Sequence, residues 1–163
     1  MALALQDTQL IWRKVAAYFA SANLSSSGTS PVAVAAFEAL LKNLISRGVA
    51  QLQFAPFTEA QCDDDDGTGL SDNGACTLYG VYVKKVSAAT DNYFKVYNNA
   101  TVDTTATDQV LALPLLGTLE EAFEIHPGGL PLSVGFTVTQ HTTSIGVTDG
   151  SDGGHGFLLI GAA

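Results

Sequence analysis

The stretch Leu132-Ser-Val-Gly-Phe-Thr-Val-Thr-Gln-His141 decides the fold class. Its apolar residues alternate: Leu132, Val134, Phe136 and Val138 share one side, while Ser133, Thr137, Thr139 and His141 share the other. A period of two belongs to a strand with one face on a core. Upstream, Thr77–Lys85 repeats the pattern with Tyr79, Val81 and Val83 on one face. Leu78 and Tyr82 make the opposite face apolar too, so this strand is expected to be covered on both sides. Tyr93–Asn98 directs Phe94 and Val96 inward, Gln109–Leu116 is rich in Leu and Val, and Glu121–His126 places Phe123 and Ile125 together. Gly156–Ala163 closes the chain as a last apolar strand. Leu52–Phe57 adds a short one, and its Pro56 argues against a central position in a sheet. Turn-forming residues fill 88–91, 98–107, 126–130 and 146–154. Short strands at such intervals describe a mainly β protein, an antiparallel, jelly-roll-like β-sandwich.

The beginning of the chain follows a different rhythm. Leu10, Ile11, Val15, Tyr18 and Phe19 recur at helical spacing within Gln9–Ala22. A polar linker, Asn23–Ser30, precedes a second helix. Ser30 is placed to cap it, Pro31 to open it and Gly48 to end it. Val34, Phe37, Leu40, Leu41, Leu44 and Ile45 form its apolar stripe. The expected organisation is therefore a helical N-terminal arm over 1–50, with two amphipathic helices, followed by a β-sandwich domain over 51–163. Leu10, Trp12, Tyr18 and Phe19 give the arm large apolar area for binding a partner; the alternative is that they pack on their own sandwich.

Composition narrows the function classes. The 163 residues suffice for one domain with a real core, since 47% are hydrophobic. Only 14% are charged, so Thr, Ser, Asn, Gly and Ala must form much of the surface, which suits contact with other protein. A net charge of -9 repels phosphate backbones and anionic lipid, so neither nucleic acid nor membrane is an expected partner. Asp7, Arg13 and Lys14 interrupt the apolar start that a signal peptide would need, and synthesis in the cytoplasm is expected.

Chemistry-bearing residues are sparse. Asp63, Asp64, Asp65, Asp66 and Asp72 gather oxygen ligands in one loop, as calcium prefers, although the spacing is not that of an EF-hand. The other reading is a solvated, self-repelling loop. Apart from that calcium, no cofactor is expected. Cys62 and Cys76 flank the same loop, either bridged or as two thiols. His141 and His155 could form a site with Asp149 or Asp152, while His126 sits in a His-Pro-Gly-Gly turn. Glu120, Glu121 and Glu124 could offer a carboxylate pair for acid–base work, but Glu120 and Glu121, adjacent at a strand start, read as solvated charges. The sequence contains no nucleophile elbow, phosphate loop or dinucleotide fingerprint, so no catalytic residue is expected.

Several of these runs occur together: Leu-Tyr-Gly-Val-Tyr-Val-Lys-Lys (78–85), Tyr-Phe-Lys-Val-Tyr-Asn (93–98), the Leu/Pro strand at 111–116, and Ile-His-Pro-Gly-Gly-Leu-Pro-Leu-Ser-Val-Gly (125–135) leading into Thr-rich strand residues. In this order they resemble the small β-sandwich domains of tailed-bacteriophage virion proteins. The resemblance covers about half the chain and excludes the helices and the aspartate loop. It implies a virion structural role, in first place a capsid decoration or cement protein that bridges capsid subunits. The implied partners are the major capsid protein or other virion proteins, and the implied state is a homo-oligomer, such as a trimer. A tail- or neck-associated module that recognises host surface glycans is the alternative, with Tyr93 and Tyr97 as candidate sugar-stacking residues.

Overall fold

A computed structural model describes residues 3–21, 29–58, 61, 71–72, 74–85, 92–100, 107–116, 120–141 and 154–163. The elements in chain order are β1 (Gln6–Asp7), α1 (Thr8–Ala20), α2 (Pro31–Ser46), β2 (Gln51–Phe57), β3 (Ser71–Asp72), β4 (Cys76–Lys85), β5 (Asn92–Tyr97), β6 (Gln109–Leu115), β7 (Glu121–Leu132), β8 (Phe136–His141) and β9 (Gly154–Ala162). The strands form two sheets, ordered β1-β2-β9-β4-β7 and β3-β8-β5-β6, in which every pairing is antiparallel. The protein is thus mainly β with two helices near its N-terminus, as the periodicities predict.

Two apolar layers hold it together. The first lies between the sheets: Leu78, Val81, Val83, Leu158 and Ile160 from one sheet meet Phe94, Val96, Leu115, Phe136 and Val138 from the other. Phe57 stacks on Phe94 across this gap, with ring centroids 5.0 Å apart. The second lies on the opposite face of the five-stranded sheet. There Ile11 and Val15 of α1, and Phe37, Leu40, Leu41 and Leu44 of α2, cover Leu52, Tyr82, Phe157 and Leu159. The helices therefore share a core with the sheet and make a third layer. Both have satisfied N-termini. The Asp7 carboxylate accepts from the Gln9 and Leu10 amides at 2.8 and 3.2 Å, and the Ser30 hydroxyl accepts from Val32 at 3.2 Å. Gly48, at φ +78°, ends α2 where the sequence placed its stop.

A bulge leaves Val110 extra in β6, opposite Val96 and Tyr97, and three further features depart from simple alternation. In β4 the register slips between Leu78 and Gly80. A bulge inverts the side-chain phase, so Tyr79 joins Tyr82 on the helix side while Val81 and Val83 join Leu78 on the inter-sheet side. The strand is covered on both faces as expected, but Leu78 and Tyr79 have changed sides. In β7 the step from Ile125 to Leu130 spans five residues against two on β4, so His126-Pro-Gly-Gly129 bulges out and the strand resumes beyond it. Third, Leu132–His141 is not one strand. It breaks at Ser133–Gly135, leaving Leu132 in the five-stranded sheet and Phe136 in the other. Gly135 allows the crossing: its φ is +143°, and a Cβ there would lie 2.1 Å from the Asp72 carbonyl oxygen.

Prolines occupy strand positions at the borders. β1 pairs with β2 only at Leu52 and Gln51, so Pro56 lies on a stretch of β2 joined on one side alone, to β9. Pro114 is in the outermost strand β6, and Pro127 and Pro131 are in the outermost strand β7.

Candidate functional site

Of the four residues assigned to partner binding, three pack against the second apolar layer and one is exposed. Tyr18 and Phe19, near the end of α1, turn toward the sheet. Tyr18 lies edge-on to Phe157 at 5.0 Å, and Phe19 edge-on to Tyr82 at 5.0 Å. Leu10 looks outward, whereas Trp12 packs at the edge of the second apolar layer. Leu10 is 44% exposed and Trp12 is half-buried, with the Lys42 ammonium 5.6 Å from its ring centroid. Between the helices runs an apolar groove of about 270 Å³, lined by Trp12, Ala16, Phe19, Val34, Glu38 and Leu41. Val32, at the start of α2, is 68% exposed. Helical spacing puts Trp12, Ala16 and Phe19 on one side of α1, and Val34, Glu38 and Leu41 on the facing side of α2.

Charge is distributed unevenly around this surface. Residues 1–50 carry four cations, Arg13, Lys14, Lys42 and Arg47, against two carboxylates, Asp7 and Glu38. Residues 51–163 carry fourteen carboxylates against three lysines. Those lysines are buried, with Lys84, Lys85 and Lys95 at most 3% exposed, whereas Arg13, Lys42 and Arg47 are exposed on the helices. The helical face is thus the basic, apolar side of an acidic molecule. Arg47 also donates to the Pro127 carbonyl, fastening the end of α2 to the bulge in β7.

Glu121 ties the helical layer to the sheet. Its carboxylate accepts from the Tyr82 hydroxyl at 2.8 Å and from the Ser30 amide at 2.9 Å. Burial, with the neighbouring Glu121 carboxylate, pushes the Tyr82 phenol well above its ordinary pKa. The solvated charge expected at 121 is therefore a half-buried clasp. Sequence reasoning missed it because its partners are 39 and 91 residues away.

The outer side of the four-stranded sheet holds an unexpected polar group. Lys95, Tyr97, Thr137, Thr139 and His141 point away from the inter-sheet core, as the alternation predicts, yet each is at most 1% exposed. Thr139 and the His141 ring share a hydrogen bond of 2.6 Å, and the Thr137 hydroxyl donates to the Asn99 carbonyl at 2.9 Å. Burial lowers the Lys95 pKa. Tyr97 is wholly buried and offers no ring face to a sugar, while Tyr93 is half-buried.

His141 and His155 do not converge. His155 follows the alternation of Phe157 and Leu159 on the helix side of the five-stranded sheet, whereas His141 faces outward from the other sheet. Asp149 and Asp152 lie outside the described residues, as do Asp63, Asp64, Asp65, Asp66 and Cys62. Asp72 is half-buried in β3. Cys76 is a free, buried thiol whose pKa burial pushes up to about 11. Among the described residues, no three His, Cys, Asp or Glu side chains are grouped to hold a metal ion, and no helix is long and apolar enough to cross a membrane.

One titration has a readable consequence. Burial, and then the Lys84 charge, hold the His155 pKa below its ordinary 6.5. Above that value the ring is neutral in folded and unfolded chains alike. Below it the unfolded chain takes up the proton first, so stability falls as pH drops through the folded-state pKa. Urea titrations at pH 7.5 and 5.5 should therefore show wild type losing more stability on acidification than His155→Gln. Equal losses would show that His155 contributes nothing to acid sensitivity.

Against protein-family models, curated proteins and solved structures, the chain finds no match.

Proposed function

We propose that this chain is a non-catalytic structural protein of a tailed-phage virion, a decoration or cement protein that bridges capsid subunits. The observation that carries the reading is the helical face: an apolar groove beside Trp12, exposed Leu10 and Val32, and the cations Arg13 and Lys42 next to Trp12. Such a patch suits contact with protein, because large side chains are left partly uncovered next to cations. The ordered runs at 78–85, 93–98, 111–116 and 125–135 supply the likeness to virion sandwiches. A cement protein adds attachment between subunits that are already folded, and a rigid three-layer body with one adhesive face meets that requirement.

The test uses phage heads lacking this protein. Added wild-type chain should sediment with them and raise the temperature at which they rupture. Leu10→Asp, an exposed change on the helical face, should weaken attachment at least tenfold while leaving the melting temperature of the free protein unchanged. Heads equally heat-resistant with and without saturating protein would reject the cement role.

A further inference from the structure

We propose that the groove between α1 and α2 receives a second copy of this chain, by way of the turn-bearing end of its sandwich that displays Val110 and Val134. This deepens the adhesive reading of the helical face and rests on it. Three observations single out that occupant.

The first is charge. The groove has one carboxylate in its lining, Glu38, against the exposed cations Arg13 and Lys42 beside it, while residues 51–163 carry fourteen of the sixteen carboxylates. Apposing two grooves would bring like charges together, whereas groove against sandwich brings opposite charges together. The net charge of -9 opposes association over distance, but at physiological salt that repulsion is screened beyond roughly 8 Å. Short-range complementarity then decides the geometry.

The second is exposed apolar area. Among the described residues, the large hydrophobic side chains left exposed outside the helices are Val110 (37%), Leu116 (49%) and Val134 (53%). Val110 and Val134 belong to one end of the sandwich. The Asn98 side chain accepts from the Val134 amide at 3.0 Å and donates to the Ser133 hydroxyl at 3.1 Å, while the Asn98 amide donates to the Asp108 carbonyl at 2.8 Å. Asp108 and Asp72 flank this knob, the latter through its carbonyl against Gly135. A knob held by its own hydrogen bonds loses little freedom on docking.

The third is size. At about 270 Å³ the groove falls below the usual range for small-molecule sites, roughly 300–1,000 Å³. It is suited to aliphatic side chains presented by protein. Because groove and knob are different surfaces, the contact is heterologous, and copies join head to tail into a closed ring or an open chain.

Sedimentation velocity of four samples tests this. Wild type should form species larger than a dimer as its concentration rises. Ala16→Arg fills the groove from an exposed helix position, and Val134→Lys reverses the knob's character; each variant alone should stay monomeric. An equimolar mixture should form a one-to-one dimer, because each variant keeps the surface the other has lost. Lys42→Glu is a second groove variant should Ala16→Arg fail to fold. Wild type that remains monomeric at several hundred micromolar overturns the proposal. So does self-association lost in Ala16→Arg, intact in Val134→Lys and not restored by mixing, since that pattern belongs to a groove-to-groove dimer. Monomers that attach to anionic vesicles through the same groove would also overturn it. A wild-type monomer that still sediments with phage heads would leave the cement role standing while removing this contact, and self-association without attachment to heads would do the reverse.

Discussion

Urea denaturation of Phe157→Ala is expected to show a loss of about 3–5 kcal/mol, the range for removing a buried aromatic side chain. Phe157 is fully buried at the centre of the second apolar layer. Its ring centroid lies 5.0 Å from Tyr18, 5.6 Å from Phe19, 5.1 Å from Phe37, 5.1 Å from Phe54 and 5.6 Å from Tyr82. Rings from both helices and from two strands thus converge on one side chain. Truncation leaves a void walled by aromatic groups that cannot collapse together, because α1 is held by Thr8 bonding to Ala50 and Val49, and α2 by Glu121. The near-UV circular dichroism should fall along with the stability. A loss below about 1 kcal/mol would mean that the helices do not depend on this ring for their seat.

A comparable effect is expected from adding one carbon at Gly156. A Cβ there would lie 1.9 Å from the Tyr82 carbonyl oxygen and 2.6 Å from the Phe57 ring. The oxygen belongs to the central ladder, where β9 pairs with β4, so it cannot swing aside as a flexible side chain could. Overpacking of a core usually costs about 1–3 kcal/mol, and a clash with paired backbone lies at or above the top of that range. Gly156→Ala should therefore cost about 3 kcal/mol or more, with Gly156→Val failing to fold. Gly128→Ala is the control, since no atom lies within 4 Å of its added carbon. It should change stability by no more than about 0.5 kcal/mol. Equal melting temperatures for the alanine variants at 128 and 156 would contradict the close approach of β9 to β4.

What the sequence revealed follows from the range of each interaction. Ser30, Pro31 and Gly48 act on residues within one turn of themselves, so the limits of α2 were legible. The inward faces of β5 and β8 obey alternation, and Phe94, Val96 and Val138 lie where it puts them. Alternation misleads where one inserted residue inverts it, as at Tyr79, or where a glycine lets the chain change sheets, as at Gly135. The burial of Lys95, Thr137, Thr139 and His141 was invisible for another reason: polar residues facing away from a core ordinarily meet water. For the candidate site, the apolar helix surfaces were legible, but the packing of Trp12, Tyr18 and Phe19 on the second layer and the exposure of Leu10 depend on the angle at which α1 lies on the sheet.

The border prolines carry a consequence for how this molecule can and cannot grow. Four of its five prolines lie in strands, at Pro56, Pro114, Pro127 and Pro131. The remaining borders, β1 and β3, are two residues long. A proline supplies no amide hydrogen, and a two-residue strand supplies too few, so a foreign strand has no continuous ladder to join. The sandwich is thereby protected against runaway cross-β stacking, a hazard for any β-rich chain at high local concentration.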